Sequence, residues 1–526
     1  MNTHTLSALW DKRIFCVSSA RKRLLLSFAS VFFFGLLAHG AWFLNYSLFS
    51  LSGDSLNEIH LFDSMHYVPM TVAESKISVG RFANTLYRIL FGGVTTHPRL
   101  VGLLSLVWIS LAVYFVSREF SINHAVPLCL LGGLSIVNVT CTALSATYIQ
   151  DMDADLFAVL LAVLAFCFWR RGGKRSLWAV PLAALSLGIY QAEISVTITL
   201  IMISCMVRLL EKESVKAVFR DGLKAVGLLL LSAALYYALF RASCAVFDVS
   251  TYDEYNSLSN LTELGSISVP YALLRTYGYW LQSILDRPHV LPLFVTVGGH
   301  VLMALAVCAL LPGYFRRKEL SAGGIVLLFA LLALLPLGMN LSYFLNSASL
   351  GGHDLMTYAF WYVYLLDYLV LRACAEEMPG TKLPRLSAVV TVALTVLILC
   401  GEIGTAYAAY EKKNAEGEKT YALMTQLCER LDKVDGYVRG ETPVALVGNP
   451  NAGVTAPGRV STITGLMHKS PVWSAYYYPA YFENILQTPI SLCDASPFRD
   501  SAAVMPLFPA TDSVRWIDGV LVVKIE

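Results

Sequence analysis

The sequence predicts a polytopic α-helical membrane protein with a small α/β region at its C-terminal end. Hydrophobic residues make up 56% of the 526 residues and charged residues only 14%, whereas soluble proteins carry about 25% charged residues. The apolar residues are collected in long runs, and the loops between these runs alternate between basic and acidic composition. These three observations favour many membrane crossings over several soluble domains.

Eleven apolar runs approach the length that a helix needs to cross a bilayer, about 20 residues. The first run follows Arg21, Lys22 and Arg23 and is too long for the apolar part of a signal peptide, so we interpret it as an uncleaved anchor. The fourth and fifth runs are short, which predicts extended, tilted or partly re-entrant helices. The predicted spans are residues 24–46, 100–117, 125–142, 156–169, 177–190, 194–210, 225–247, 290–312, 324–345, 355–371 and 387–409.

Basic residues in the short loops predict the orientation, because cytoplasmic loops are enriched in Lys and Arg. With the N-terminus in the cytoplasm, every second loop is basic, and the opposite loops carry most of the acids. An odd number of spans then places the C-terminal tail outside. The predicted outer acids are Asp54, Glu58, Asp63, Glu74, Asp151, Asp153, Asp155, Asp253, Glu254 and Asp354.

Three outer segments are long: residues 47–99, residues 248–289 and the tail. Residues 79–94 are amphipathic and bounded by glycine, which predicts an interfacial helix rather than a span. Residues 270–285 are rich in tyrosine and include Trp280, and such aromatics favour the membrane interface. We therefore divide the chain into a multi-span region, residues 1–410, and an extracytoplasmic region, residues 411–526.

The tail predicts a small α/β domain. It begins with a helical stretch, residues 411–433, and continues with strands bounded by proline and glycine, such as residues 444–447 and 520–525. Cys428 and Cys493 are its only cysteines, and an oxidising compartment would permit a disulfide between them. Sequence does not supply the Cα separation that a disulfide requires, so the paired and the free state both stay open.

Composition and motifs exclude several classes of function. The net charge of +2 argues against a nucleic-acid partner, because phosphate binding needs concentrated positive charge. The sequence has no P-loop, Rossmann glycine pattern, GxSxG or HExxH on a plausible element, so a cytosolic nucleotide is not expected as the direct substrate. The cysteines lie mostly inside apolar runs and form no CxxC pair, which excludes zinc sites of the usual spacing.

The first outer loop combines acids with an arginine. Asp63 lies four residues before Tyr67, and Gly80-Arg81-Phe82 follows at the start of the predicted interfacial helix. An acid at a membrane surface can accept a proton from an incoming hydroxyl, and the planar fork of arginine can bind a phosphate. A base together with a phosphate clamp is what sugar transfer from a lipid phosphate needs. The alternative is a solvated loop whose acids merely follow the topology.

Two further outer turns carry polar residues. Asp151, Asp153 and Asp155 alternate along the chain and could hold a divalent cation, although acids at a helix start also cap the helix and complement its dipole. We favour capping for Asp155. Gln191 and Glu193, next to Tyr190, lie between two short apolar runs. They suit hydrogen bonds to sugar hydroxyls and, equally, an ordinary tight turn.

The last outer candidates are Gly351-Gly352-His353-Asp354 and two arginines. A His-Asp pair can do acid–base work or bind a metal, whereas a glycine-rich turn with a capping aspartate is the simpler interpretation. Arg275 and Arg287 flank the predicted aromatic interfacial helix. They are plausible phosphate contacts, and the alternative is snorkelling at the membrane surface.

These features resemble the Gtr-type, serotype-converting glucosyltransferases of bacteria, which belong to the broad GT-C class. The resemblance covers most of residues 24–433. It is carried by the acidic first outer loop, by the late outer domain, by Gly80-Arg81-Phe82, and by the run Leu185-Ser186-Leu187-Gly188-Ile189-Tyr190-Gln191-Ala192.

The resemblance implies transfer of a hexose, usually glucose, from undecaprenyl phosphate to a polysaccharide such as the O-antigen of lipopolysaccharide. Our hypothesis is that this transfer inverts the anomeric configuration. The transfer would occur at the periplasmic face of the bacterial inner membrane. The resemblance also implies an essential acid in the first outer loop, a position available here to Asp63, Asp54 or Glu58. We prefer Asp63, because its spacing to Tyr67 resembles the start of that loop in GT-C enzymes. Where those enzymes have a doubled acid, Ser64 follows Asp63 here.

This hypothesis assigns further roles. The expected donor phosphate ligands are Arg81, Arg88 and Arg275, and the expected substrate contacts are Tyr67, Tyr190, Gln191, Glu193, Asp151, Asp153, His353 and Asp354. The expected partners are a polyprenyl-phosphate-linked sugar, a polysaccharide acceptor and the lipid bilayer. No organic cofactor is expected, and dependence on a divalent cation stays open.

Three other functions remain as alternatives. A transporter or flippase of lipid-linked glycans would need charges near the bilayer midplane and often two related halves, which the sequence does not display. A polysaccharide polymerase would use a chain linked to a lipid diphosphate. A membrane scaffold for cell-envelope assembly would have no catalytic use for the outer acids.

Overall fold

Long apolar helices dominate the structure, a computed structural model that describes residues 16–17, 19–45, 76–92, 97–251, 269–287, 289–345 and 353–526. A helix satisfies its own backbone hydrogen bonds, which is why apolar runs of this length fold as helices in lipid. Within the described residues, nine helices are long and apolar enough to cross a membrane: Ala20–Leu44, Pro98–Glu119, Ala125–Thr147, Met152–Arg171, Gln191–Leu210, Val215–Phe247, Leu293–Lys318, Ala322–Met339 and Lys382–Leu431.

Several of these spans contain more than one helical element. In chain order the α-helices are α1 (Ala20–Asn45), α2 (Phe82–Tyr87), α3 (Pro98–Glu119), α4 (Ala125–Ile136), α5 (Val139–Thr147), α6 (Met152–Arg171), α7 (Ala179–Ile189), α8 (Ile194–Leu210), α9 (Val215–Phe247), α10 (Val269–Leu285), α11 (Leu293–Cys308), α12 (Leu311–Lys318), α13 (Ala322–Met339), α14 (Leu341–Leu345), α15 (Tyr362–Glu377), α16 (Lys382–Leu431), α17 (Tyr478–Tyr481) and α18 (Arg499–Ala503).

The other two predicted spans fold as shorter helices. Helix α7 has 11 residues and follows a 3-10 turn, Gly173–Trp178. Helix α15 has 16 residues and follows two 3-10 turns. The polytopic helical fold is therefore confirmed, while the number of eleven crossings stays a prediction.

Small residues allow the first helices to approach closely. A Cβ atom built on Gly102 of α3 would lie 2.5 Å from the ring of Phe43 on α1, and one built on Gly133 of α4 would lie 3.0 Å from the ring of Phe34. Such contacts between small residues and large side chains stabilise helix pairs in lipid, where no hydrophobic effect drives helices together. They hold α1, α3 and α4 in one group.

Basic residues from separate loops meet at one end of the helix bundle. Glu119 accepts an ion pair from Arg118 at 2.7 Å and lies 3.8 Å from Arg170. Arg372 donates to the carbonyl of Phe120 at 2.7 Å. The loops predicted to be cytoplasmic from their charge thus share one end, as the alternation of basic and acidic loops requires.

Helix α16 leaves the bundle at the opposite end. It has 50 residues, and at about 1.5 Å per residue it is more than twice as long as the roughly 30 Å of a hydrocarbon core. The predicted span 387–409 and the predicted tail helix 411–433 are parts of this one helix. The division that we predicted at residue 410 therefore falls inside a continuous element.

The C-terminal region after α16 contains a four-stranded sheet of order β2-β1-β4-β3. The strands are β1 (Pro443–Val447), β2 (Ser491–Leu492), β3 (Val514–Ile517) and β4 (Val520–Lys524). Strand β1 is parallel to both β2 and β4, and β3 pairs with β4 in an antiparallel hairpin. The hairpin turns at Asp518-Gly519, whose φ values of 49° and 77° suit a two-residue turn. Cys428 and Cys493 are both free thiols in this structure.

Candidate active site

The segment Gly80-Arg81-Phe82 packs directly on the end of α7. Gly80 has a φ of 82°, in the left-handed region that favours glycine, and a side chain there would collide with the hydroxyl of Tyr236. A Cβ atom on Gly188 would lie 2.7 Å from the ring of Phe82. The two sequence stretches that carry the family resemblance are therefore in contact, and each contact requires a glycine.

Gln191 ties the same two stretches together by hydrogen bonds. Its side-chain amide donates to the carbonyl of Val79 at 2.8 Å and to the hydroxyl of Tyr236 at 3.2 Å. The hydroxyl of Ser342 donates to the Gln191 carbonyl at 3.4 Å. The side-chain amide thus holds the first-loop segment in place, whether or not it also contacts a sugar.

Arg81 occupies the centre of this contact. Its guanidinium carbon lies 4.8 Å from the ring centre of Tyr190, within the range of a cation–π interaction. Asp151 and Asp155 lie close enough for their charges to act on the guanidinium. Arg81 is half-buried, so a cation is held at the edge of an apolar cluster, where a ligand can reach it.

Asp151 lies beside this cation and is neutralised by two others. Its carboxylate accepts hydrogen bonds from Lys76, from Arg88 at 3.0 Å and from Asn84 at 3.3 Å, and the residue is only 2% exposed. Burial disfavours its charged form, but Lys76 and Arg88 outweigh that effect and hold the pKa of Asp151 well below its usual range. Asp151 therefore stays ionised and anchors residues 76–88 to the start of α6.

The next two acids of this turn have different surroundings. Asp153 accepts a hydrogen bond from the Tyr87 hydroxyl at 2.9 Å, and that hydroxyl also accepts one from the Trp108 indole at 2.9 Å. Asp155 is 3% exposed, and its Oδ1 atom has no hydrogen-bond partner within the described part of the chain. Asp151, and not Asp155, occupies the N-cap position of α6, and its side chain forms no capping hydrogen bond. Asp155 lies in the first turn of the helix.

The His353-Asp354 pair belongs to a neighbouring network. Asp354 accepts an ion pair from Arg287, which also donates to Thr357 at 2.9 Å. The second carboxylate oxygen of Asp354 accepts a hydrogen bond from the backbone N–H of Thr464 at 2.9 Å. Burial lowers the pKa of His353, and the nearby cation Arg81 lowers it further, against the opposing effect of Asp354. His353 thus lies within electrostatic range of both Arg81 and Asp354.

Arg88 and Arg275, the other predicted phosphate ligands, are both engaged by protein groups. Arg88 donates to Asp151, to the carbonyl of Gln150 and to Asn84. Arg275 lies 5.9 Å from the ring centre of Tyr271 and 5.8 Å from that of Tyr343. Tyr343 follows Ser342, which bonds to Gln191, so Arg275 lies towards the rim of the same region.

The structure brings most of the predicted site together at one end of the bundle, opposite to the basic loops. The residues gathered there are Arg81, Arg88, Asp151, Asp153, Tyr190, Gln191, Glu193, His353 and Asp354. The predicted residues Asp54, Glu58, Asp63 and Tyr67 lie outside the described residues. All of these individual roles stay predictions.

Sequence reasoning missed three contributors to this region. Lys76 neutralises Asp151, Tyr236 of α9 contacts both Gly80 and Gln191, and Tyr87 binds Asp153. One signal was available, because Lys76 is a basic residue in a loop predicted to be acidic and external. Tyr236 gave no such signal, since an aromatic residue inside a predicted span is ordinary.

The structure also bears on metal binding. Among the described residues, no group of three or more His, Cys, Asp and Glu side chains is arranged to hold a metal ion. In the Asp151–Asp155 turn, two cations already compensate Asp151 and a tyrosine hydroxyl binds Asp153. Asp151 and Asp153 are thus bound by other side chains of the protein.

Comparison with known proteins gives the chemistry that accompanies this geometry. No curated protein and no solved structure matches the chain. A family model described as "Glucosyl transferase GtrII" matches residues 56–366. This range includes Arg81, the Asp151–Asp155 turn, Gln191 and Asp354, and it ends before the C-terminal sheet. Since the match covers more than half of the chain, the protein belongs to the GtrII glucosyl transferase family.

Proposed function

We propose that this protein transfers a hexose, glucose by the description of its family, from a polyprenyl-phosphate carrier to a polysaccharide acceptor at the outer face of the membrane. The observation that carries the proposal is a half-buried arginine, Arg81, held against Tyr190 at the end of the bundle opposite to the basic loops. The prenyl tail can stay in lipid there while the sugar reaches water. The charge pattern of the loops supports a bacterial inner membrane protein with this end in the periplasm.

Arg81 is the arginine best placed to bind the donor phosphate. The Arg88 side chain already donates hydrogen bonds to Asp151, Gln150 and Asn84. Arg81 instead contacts an aromatic face, and no hydrogen bond joins its guanidinium to another described residue. A guanidinium in that state can form charge-assisted bonds with phosphate oxygens. Its stack on Tyr190 fixes its direction before the ligand arrives.

We assign the base to an acid of the first outer loop, Asp63 in preference to Asp54 or Glu58. Asp63 takes the proton of the acceptor hydroxyl, and the hydroxyl oxygen forms a bond to the anomeric carbon. The bond from that carbon to the phosphate oxygen breaks at the same time, and its electron pair goes to the phosphate. Arg81 stabilises the charge that develops there. Direct displacement inverts the anomeric configuration.

The polar residues around Arg81 would orient the sugar. Glu193 and His353 lie near the cluster and can exchange hydrogen bonds with hydroxyl groups. Tyr190 contributes an aromatic face, and Gln191 keeps residues 79–82 in position. In this proposal some residues touch the substrate, whereas others, such as Asp151 and Asp354, only keep the surrounding backbone segments in position.

The test measures hexosyl transfer in membranes from polyprenyl-phosphate-glucose to the acceptor polysaccharide. Loss of charge-assisted hydrogen bonds costs about 1.5–3 kcal/mol, so Arg81→Ala is expected to lower kcat/KM on the order of 10- to 100-fold. Arg81→Lys keeps the charge but loses the fork, and an intermediate rate is expected. Asp63→Asn removes the base, which is worth about 100- to 10,000-fold.

Arg220→Ala is the matched control. Arg220 is exposed and pairs only weakly with Asp221 at the basic end, at 3.9 Å. Its replacement should leave the transfer rate unchanged. Wild-type rates in folded Arg81→Ala and Asp63→Asn proteins would show that these residues do not have the proposed roles.

A further inference from the structure

A cleft opens in the C-terminal region at the carboxyl ends of two parallel strands. Its volume is about 620 Å³, and it is lined by residues that follow β1, residues that follow β2, and the segment around Trp473. Strand β2 lies on one side of β1 and β4 on the other. Ligands of open α/β sheets bind in crevices outside the carboxyl ends of strands. The volume lies within the range of about 300–1,000 Å³ for small-molecule sites.

The cleft combines an aromatic surface with unused polar groups. Trp473 is 38% exposed although His468 stacks on it at 4.0 Å, so part of the indole remains open to the cleft. Tyr478 lies beneath, with its hydroxyl donating to the carbonyl of Gly448 at 2.8 Å. In the described part of the chain, no residue forms a hydrogen bond with the side chains of Asn449 and Arg499, which both line the cleft.

The charges of the cleft indicate the class of ligand. Asp494 and Arg499 carry opposite charges, and the charge of Arg499 acts on Asp494 without a direct ion pair. Asp494 accepts the backbone N–H of Ser496 at 2.9 Å and also interacts with the Ser496 side chain, and the residue is exposed. A balanced cleft does not favour an anion such as phosphate. It favours a neutral molecule with many hydroxyl groups and an apolar ring face, which is the chemistry of a saccharide.

The C-terminal region is attached to the same end of the bundle as Arg81. Thr464 donates its backbone N–H to Asp354, and the Thr147 hydroxyl donates to the Thr464 carbonyl at 3.2 Å. Arg459 forms an ion pair with Asp286 at 2.9 Å. The cleft residues lie outside the matched range 56–366, so the cleft belongs to a part of the chain beyond the shared glucosyl transferase unit.

We propose that this cleft binds a neutral stretch of the acceptor polysaccharide and holds the chain near the transfer site. The inference rests on the proposed function for the identity of the acceptor. Trp473 stacks on the apolar face of one sugar ring, while Asn449, Asp494 and Arg499 exchange hydrogen bonds with hydroxyl groups. The cleft is thus a binding site that sets the affinity for the acceptor and takes no part in the chemical step.

The experiment measures binding to the full-length protein purified in detergent. The probe is delipidated surface polysaccharide from the strain that carries this gene. Removing an aromatic anchor or a hydrogen-bonding side chain from the centre of a site is expected to weaken binding about tenfold. Trp473→Ala and Arg499→Ala should both show this loss. Arg499→Ala is included because the exposed Arg499 side chain forms no hydrogen bond or ion pair with another described residue, so the fold should tolerate the change.

Two controls accompany these variants. Tyr476 is 72% exposed and lies next to the cleft without lining it, so Tyr476→Ala should bind like the wild type. Arg81→Ala should also bind the polysaccharide normally, because it changes the transfer site only. Inorganic phosphate should fail to displace the polysaccharide.

Absence of binding by the wild type, unchanged binding by both cleft variants, or displacement by phosphate would overturn this inference. The outcome is independent of the transfer assay. If Arg81→Ala transfers hexose normally, the proposed catalytic role fails, while binding that depends on Trp473 still supports the cleft. If binding fails while Arg81→Ala loses transfer, only the cleft is rejected.

Discussion

At the residue scale, Asp151 shows how one side chain organises the site. Sequence alone allowed a metal ligand, a helix cap or a sugar contact. In the structure its carboxylate lies between Lys76 and Arg88, in a buried position. Asp151 therefore holds Lys76 and Arg88 at the start of α6.

Replacing Asp151 by alanine should strongly destabilise the protein. The change leaves Lys76 and Arg88 buried without this carboxylate, and removing one member of a buried ion pair costs about 3–5 kcal/mol. Thermal unfolding in detergent should show a clear fall in Tm. Asp221→Ala is the control, because Asp221 also meets Arg208 and Lys224 but is 28% exposed, and exposed pairs contribute at most about 1 kcal/mol. Equal shifts in the two variants would contradict the anchoring role.

At the scale of elements, the site depends on how closely α2 and α7 approach. The ring of Phe82, at the start of α2, fills the space that a side chain on Gly188 of α7 would need. Arg81 precedes Phe82 and Tyr190 follows the end of α7. The distance between these elements therefore sets the stack of Arg81 on Tyr190.

Gly188→Ala is expected to lower both stability and hexosyl transfer. Overpacking costs about 1–3 kcal/mol, which exceeds the gain of about 1 kcal/mol from replacing glycine in a helix. Gly222 of α9 is also helical, but a Cβ atom there meets no atom within 4 Å, so Gly222→Ala should raise stability slightly. Tm and transfer rate are measured for both variants.

A second substitution tests whether contact with Phe82 causes the loss of stability in Gly188→Ala. Phe82→Leu shortens the side chain that a Cβ atom on Gly188 would meet, so the Gly188→Ala/Phe82→Leu double variant should recover part of the lost stability. A double variant that is as unstable as the sum of the single variants would indicate that the two positions do not interact.

At the scale of the whole molecule, the C-terminal region is held on the helix bundle by polar contacts around His289. The backbone N–H of Arg459 donates to the His289 carbonyl at 2.9 Å, and the Thr462 hydroxyl lies 3.3 Å from its Nδ1 atom. Burial, together with the nearby cations Arg287 and Arg459, lowers the pKa of His289 to about 4, although Asp354 acts in the opposite direction. The imidazole is therefore neutral in the folded protein.

This arrangement predicts a loss of stability in mild acid. The pKa of His289 is 6.5 when unperturbed and about 4 in the folded state, so the unfolded chain binds the proton more readily. The stability from neutral His289 is fully present above pH 6.5 and is lost as the pH falls towards 4. Between pH 7 and pH 5 the loss should be about 2 kcal/mol.

Thermal unfolding of the protein at several pH values measures this predicted loss of stability. His289→Asn should reduce the difference in Tm between pH 7 and pH 5. His124 is exposed at the basic end, and His124→Asn should retain the full difference. The same pH dependence in His289→Asn as in the wild type would assign it to other groups.

Much of the architecture follows from hydropathy and charge along the chain. Runs of about 20 apolar residues must form helices in lipid, because no other backbone satisfies its hydrogen bonds within one segment. The basic loops predicted to share a side do meet at one end, as Arg170 with Glu119 and Arg372 with Phe120 demonstrate. The resemblance carried by Gly80-Arg81-Phe82 and residues 185–192 is confirmed by the matching glucosyl transferase family.

The sequence does not show which polar side chains bind other protein groups and which can still bind a ligand. Asp151 and Arg88 read as possible ligands in the sequence, yet they bind each other, while Arg81 rests on Tyr190. Lys76 and Asp151 are 75 positions apart, and no local pattern reports such a pairing. Hydropathy and charge act along the chain and can be recognised there. The neutralisation of a buried charge depends on distances in space, which exist only once the helices have packed.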